Sequence, residues 1–267
     1  MKPYEGFDHN DQSLRILTTL ERKYPRWNGL NLTWETLEGV VKHNGPVTGP
    51  LPVTLKEIAS QVDLQITTHA ALEAQVAALA DDIAYNNHDV EDGLRAGLFT
   101  LKDLEELELL RKVIRGVRKA YPDIDEKHLI HEMIREMIGA MVTDVLDETR
   151  RRLKDINPDS PDAVRNAGMV MVAFSDGMLP KINSLRAFLM ENMYRHTTVR
   201  RMRLKVRRIV KDLYDAFMTE HALLPEEWQA KVKESGGDDP KRIVERARIV
   251  ADYIAGMTDR YAIKENE

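Results

Sequence analysis

Residues 70–92 read AALEAQVAALADDIAYNNHDVED, and this stretch decides the fold class. It holds neither glycine nor proline, and its apolar residues recur at three- and four-residue spacing. At about 100° per residue, Leu72, Val76, Leu79 and Ile83 fall within one narrow arc, the stripe of a helix packed on a core. The spacing predicts a helix from about Thr67 to Asn87, with Gly93 and Gly97 ending its extension. Asp81, Tyr85 and Asp89 lie roughly 150° away, and Ala70, Ala71, Ala74, Ala77 and Ala78 share their side. A solvated face normally carries Lys, Glu or Arg, whereas alanines let a second backbone approach, so the pattern predicts a helix enclosed on both faces. An enclosed Asp81 needs hydrogen-bond donors, a cation or a metal. A buried structural carboxylate and a functional one fit that pattern equally well. Asp81 to Asp89 spans about 12 Å of helix, a length suited to a nucleotide lying along it; His88 is about 10 Å from Asp81, too far for the two to hold one ion.

Outward from this segment the chain keeps the same character. Helices are predicted over about His9–Lys23, stopped by Pro25; over Thr33–Lys42; over 102–120, stopped by Pro122; and over Asp125–Ile156. In the last of these, Met133, Ile134, Met137, Ile138, Met141 and Val142 read as a core stripe. Further helices are predicted at about 161–174, 178–195 and 198–220. A final one, after the break Gly236–Pro240, ends near Tyr261. Trp27–Asn31 reads as a turn, and the breakers Gly45, Pro46, Gly49, Pro50 and Pro52 mark a loop. No alternating run is long enough for a strand, and no internal repeat appears. The expected fold class is all-α.

Composition narrows the function classes. Among 267 residues, 43% are hydrophobic and 31% charged, a globular balance, and the net charge of −5 neither demands nor excludes a nucleic-acid partner. The absence of cysteine removes disulfides and thiolate metal sites and is compatible with a cytoplasmic location. No apolar run approaches the ~20 residues of a membrane span, and the first residues have no signal-peptide character, so a soluble protein is expected. The sequence has no Gly-rich phosphate loop, nucleophile elbow or HExxH, which makes a P-loop ATPase or a serine hydrolase a poor fit. His128 and His131 read as ordinary helix-face histidines. The basic run Arg195–Arg208 reads first as the solvated face of an amphipathic helix, with Val199, Met202, Val206 and Ile209 toward the core. Contact with nucleotide phosphates, a subunit partner or nucleic acid are its functional readings, although aromatic residues for base stacking are lacking.

Asp81-Asp82-Ile83-Ala84-Tyr85-Asn86-Asn87-His88-Asp89-Val90-Glu91-Asp92 resembles the distal aspartate segment of bacterial dGTP triphosphohydrolase-like proteins, members of the HD superfamily. Gly6-Phe7-Asp8-His9-Asn10-Asp11-Gln12-Ser13 resembles the stretch that follows the HD motif there. Gly29–Thr36, His43-Asn44-Gly45-Pro46, Tyr194-Arg195-His196 and Gly256–Tyr261 are similar to family segments in the family's order. The resemblance implies an HD-like helical bundle with a C-terminal helical extension. The implied division is residues 1–110 for the later part of the HD core and 111–267 for the extension. It also implies a homo-oligomer without membrane attachment that hydrolyses a deoxynucleoside triphosphate to the deoxynucleoside and triphosphate with a divalent metal ion such as Mg or Mn. Carried over residue by residue, Asp81 is a metal ligand, Tyr85 packs on the sugar, Asp89 lies near the sugar hydroxyl or phosphates, His9 is an active-site histidine near the phosphates, and His196 lines the nucleotide pocket.

The sequence departs from that family in one large respect. The family's first metal histidine and its His-Asp pair precede the Gly-Phe-Asp-His stretch, which here begins at residue 6. The only His-Asp pair, His88-Asp89, lies beyond Asp81. A chain beginning inside a longer enzyme is therefore expected, with Asp81 the surviving ligand, the metal not retained, and the Asp81 face exposed. A lone carboxylate gives millimolar metal affinity or weaker, about 3–4 kcal/mol. The expected chain is inactive alone; a catalytically dead nucleotide-binding or oligomerisation module, or a nucleic-acid-binding helical protein, are the alternatives.

Overall fold

The computed structural model describes every residue except Asp238, which falls in the expected break before the last helices. Among the described residues it is helical, with no strand. In chain order the helices are α1 (His9–Arg15), α2 (Trp34–Val41), α3 (Val53–Ala59), α4 (Leu72–Arg95), α5 (Leu101–Leu104), α6 (Glu108–Ala120), α7 (Glu126–Ile156), α8 (Pro161–Arg165), α9 (Leu179–Leu189), α10 (Thr197–Thr219), α11 (Glu226–Ser235), α12 (Pro240–Ala255) and α13 (Asp259–Glu265). π-Helical turns at Ile16–Leu20 and Met190–Tyr194 continue α1 and α9. None of the described helices is long and apolar enough to cross a membrane. The residues form two compact units: Met1–Asn31, Pro52–Ile58 and Arg200–Glu267 make the first, and Leu32–Leu51 with Ala59–Val199 the second. Each unit draws on residues from both sides of position 110.

The second unit is built on α4, α6, α7 and α9. Ile83 and Val90, Leu110 and Ile114, Met133, Met137 and Met141, and Ile182, Leu185 and Leu189 meet in one core. Helix α7 starts where the Asp125 side chain accepts a hydrogen bond from the His128 amide at 3.1 Å, and it ends at Asn157 in the left-handed region. Three of its methionines are fully buried, each contributing about 1.5–3 kcal/mol before the entropy of ordering them. Val142, expected in that stripe, is exposed.

Helix α4 begins at Leu72 rather than Thr67, because the backbone before it bonds to distant residues instead of to its own next turn. The His69 amide donates to the Arg165 carbonyl at 3.2 Å, and Lys42 Nζ donates to Thr68 Oγ1 and the His69 carbonyl at 2.9 and 3.3 Å. Gly93 does not end the helix. A Cβ there would lie 2.2 Å from the Phe99 ring, which packs edge-on against Phe188 at 5.1 Å. The turn itself is made at Gly97, with φ +65. The helix expected over 161–174 stops at Arg165 for a similar reason. The Met171 and Val172 amides donate to Gln75 Oε1 at 2.8 and 3.2 Å, and the Ser175 amide to Asp144 at 2.8 Å.

Beneath the loop that precedes α4 lies a buried ionic cluster. Glu38 receives Lys42 Nζ at 2.9 Å and Arg165 in a two-pronged contact at 2.8 and 2.9 Å. The Arg165 guanidinium also stacks 4.8 Å above the Trp34 ring. Burial alone would raise the Glu38 pKa, but the bonds from Arg165 and Lys42 outweigh it and hold the carboxyl below its usual range.

In the first unit, Ile209, Leu213 and Phe217 of α10 pack with Leu224, Val232 and Val250, and the Tyr253 ring lies 5.4 Å from both Phe217 and Trp228. Two buried aspartates tie its segments together. Asp11 accepts from Thr54 Oγ1 at 3.0 Å and the Leu55 amide at 3.1 Å, which fixes the start of α3. Asp252 accepts from Gln12 at 3.0 Å and Arg15 at 2.9 Å. The apolar side of α10 is less covered than expected: Met202 is 58% and Val206 50% exposed, Val199 is half-buried, and only from Ile209 onward is the stripe buried. Periodicity defines a face, and nothing in these residues supplies its cover.

Candidate functional site

The far face of α4 presents Asp81, Asp82, Tyr85 and Asp89 in succession, within the second unit. It is not enclosed. Asp81 is exposed, Tyr85 is 58% exposed, Ala77 and Ala80 face solvent, and only Ala70 and Ala71 are buried. Val76, assigned by periodicity to the core stripe, is 49% exposed. The alanines thus leave an open face rather than a helix contact over most of its length.

At its N-terminal end this face borders a cavity of about 370 Å³ lined by His43, Asn44, His69, Gln75, Asp81 and Asp82, among others. The walls are set by polar bonds. Gln75 Nε2 donates to the Ala70 carbonyl at 2.8 Å while its oxygen takes the Met171 and Val172 amides. His43 Nδ1 lies 2.7 Å from the Val40 carbonyl and must donate to it, so Nε2 accepts from the side-chain Nδ2 of Asn44 at 2.8 Å. That contact holds the Asn44 side chain beside the His43 ring in the cavity wall. Asp82 receives Arg186, from α9, at 3.0 Å.

Toward the other end, Tyr194 donates its hydroxyl to the Asp89 carboxylate. Burial raises the Asp89 pKa, and the neighbouring Asp92 adds to the shift while His88 opposes it. Asp81, Tyr85 and Asp89 therefore share one face, and Asp89 is joined to the Tyr-Arg-His segment through Tyr194. His196 is half-buried, and its Nδ1 accepts the Thr198 amide at 3.3 Å at the start of α10, the position of a helix cap. His9 lies in the first unit, exposed at the start of α1, where its carbonyl accepts from Ser13 at 3.0 Å.

Arg186 and the role of the Tyr194 hydroxyl escape the sequence reading. The π-turn at Met190–Tyr194 breaks the 3.6-residue rotation between them, so regular helical spacing does not bring Tyr194 round to Asp89. Among the described residues no group of three or more His, Asp or Glu is arranged to hold a metal ion. His88 and His131 instead approach Glu91, at 3.6 and 3.9 Å. The residues present do not by themselves fit a divalent ion.

Residues 172–267 match the family described as phosphohydrolase-associated domain. Over its whole length the chain is 50% identical to a deoxyguanosinetriphosphate triphosphohydrolase-like protein of Parvibaculum lavamentivorans, covering 67% of that relative. A protein of the same name from Caulobacter sp. is 49% identical over all of the chain and 67% of its own length, and one from Jannaschia sp. 47% over 99% of the chain and 66% of its own. The chain thus spans about two thirds of the length of these relatives. With a helical fold, the aspartate face on α4 and this likeness along its entire length, the chain belongs to the deoxyguanosinetriphosphate triphosphohydrolase-like family of HD-superfamily hydrolases.

Proposed function

We propose that the chain carries the nucleotide-handling face of a deoxynucleoside triphosphate triphosphohydrolase, which releases the deoxynucleoside and inorganic triphosphate. The observation that carries this reading is the α4 face, where Asp81, Tyr85 and Asp89 follow one another over about 12 Å and Tyr194 holds the last of them. In this assignment Asp89, with one oxygen engaged by Tyr194, accepts the sugar hydroxyl. The exposed Tyr85 ring packs on the sugar, and Arg186 beside Asp82 meets the phosphates. His9 serves at the phosphates, His196 lines the pocket, and Asp81 is the carboxylate offered to the divalent ion that the family uses. One carboxylate does not retain such an ion, so the 267-residue chain has little activity of its own in this reading. Residues 1–110 then form the later part of the HD core and 111–267 the extension, in a homo-oligomer.

Incubation with dGTP and Mn²⁺ or Mg²⁺, followed by separation of products, tests this. Triphosphate with deoxyguanosine supports the full activity. Binding of dGTP without turnover, weakened by Tyr85→Ala and Asp89→Asn, supports the nucleotide-binding role alone. Release of dGDP and phosphate, or no dGTP binding, refutes both.

A second reading is favoured by α10, where Arg200, Arg201, Lys205, Arg207 and Arg208 are all exposed. That face suits a nucleic-acid backbone. Oligonucleotide binding that falls steeply with salt supports it, and binding that is absent or indifferent to salt counts against it.

A further inference from the structure

Helices α1, α11 and α12, all within the first unit, border a cavity of about 590 Å³ whose charges are unevenly matched. Asp252 is buried and already committed to Arg15 and Gln12, and Glu245 is paired with Arg242 at 2.9 Å. Glu5, Glu57 and Glu234 also line it but are exposed, as Arg22 is, and water screens them. Four lining cations make no close carboxylate contact among the described residues: the exposed Lys241 at the start of α12 and three from separate segments, of which Lys231 feels the charges of Glu227 and Asp252 from a distance. Arg22 stands beyond the π-turn. Lys231 of α11 rests its ammonium 3.6 Å over the Trp228 ring. Arg248 of α12 reaches only the Gly6 carbonyl, at 3.4 Å. Lys231 is half-buried, and its pKa is depressed first by burial and then by Arg22. A half-buried ammonium facing guanidinium groups is a place where added negative charge is stabilising.

We propose that this cavity binds a polyphosphate anion through Lys231, Arg22 and Arg248. A compact monovalent anion reaches one such cation, whereas a chain of phosphates presents several charges and many acceptor oxygens to cations spread over three segments. The cation–π contact with Trp228 holds Lys231 in place until the anion arrives. Free triphosphate and the phosphate tail of a nucleotide share this chemistry.

Calorimetric titration of the full chain with inorganic triphosphate, and separately with dGTP, tests the site, with Trp228 fluorescence as a second readout. Triphosphate is expected to bind, with affinity at least about tenfold lower in Lys231→Met and in Arg22→Ala. Arg22 is exposed, so its replacement leaves folding intact. Lys231→Arg should keep the affinity, which ties binding to the cation at this position and separates this site from the α4 face. Loss of dGTP affinity in Lys231→Met identifies the nucleotide tail as the source; an effect on triphosphate alone identifies the free anion. No triphosphate binding, or binding indifferent to both Lys231→Met and Arg22→Ala, overturns the proposal.

Discussion

Replacing Glu38 with methionine strands two cations in the second unit. Lys42 is buried completely and Arg165 almost so, and Glu38 receives three of their hydrogen bonds, all between 2.8 and 2.9 Å. Lys42 would keep only Thr68 Oγ1 and the His69 carbonyl, both neutral acceptors; Arg165 would keep the exposed Asp162 at 2.8 Å and its stacking on Trp34. Breaking one side of a buried pair costs about 3–5 kcal/mol, because the remaining charge cannot return to water without opening the structure. Asp162 softens the loss for Arg165, so Lys42 carries most of the penalty. At roughly 2–4 °C per kcal/mol, the melting temperature should fall by about 6–20 °C. Urea unfolding monitored by tryptophan fluorescence gives the free energy directly. The double variant Glu38→Met with Lys42→Met removes the stranded ammonium as well, and should recover at least about half of the loss. A loss below about 1 kcal/mol in the single variant, or a double variant less stable than the single, would refute the reasoning.

Three further outcomes follow from the same structure. Glu148 is held at a pKa of about 2, first by Arg151 and then by Arg152. A carboxyl depressed in the folded state adds stability that is complete above its unfolded value and lost as pH falls from about 4.5 toward 2, so Glu148→Gln should flatten the acid limb of a stability–pH curve. Gly93→Ala should destabilise by about 1–2 kcal/mol despite the better helix propensity of alanine, because its Cβ overlaps the Phe99 ring; a gain in melting temperature would contradict this. Tyr194→Phe removes the donor to Asp89 and should weaken dGTP binding about tenfold while changing stability by less than about 1.5 kcal/mol; equal affinity would separate Tyr194 from the nucleotide face.

Much of the secondary structure was legible because it is local. The Asp125 cap, the methionine stripe and Asn157 bound α7 within a residue or two of the reading, and α2 emerges between Thr33 and Lys42 in the same way. What escaped was decided by distant partners. The stretch after Arg165 leaves the helix because Gln75 and Asp144 take its amides, and no pattern within 161–178 records that. Glu38 and Lys42, four apart, look like a surface pair, and only Arg165, 127 residues away, makes them a core element. At the candidate site, the order Asp81, Tyr85, Asp89 on one face could be read from rotation about the helix. Whether that face was covered could not, since alanines are compatible with both, and Arg186 and Tyr194 reach it from another helix.

The first unit is stitched from residues 1–31, 52–58 and 200–267, with Gln12 and Arg15 meeting Asp252 some 240 positions later. On a ribosome adding about 5–20 residues per second, Gln12 and Arg15 wait roughly 12–48 s for Asp252 to be made. During that interval Leu14, buried in the finished unit, lacks its native cover, and by its end every segment of the second unit has already been made. The unit begun first is therefore the last to have all its segments made.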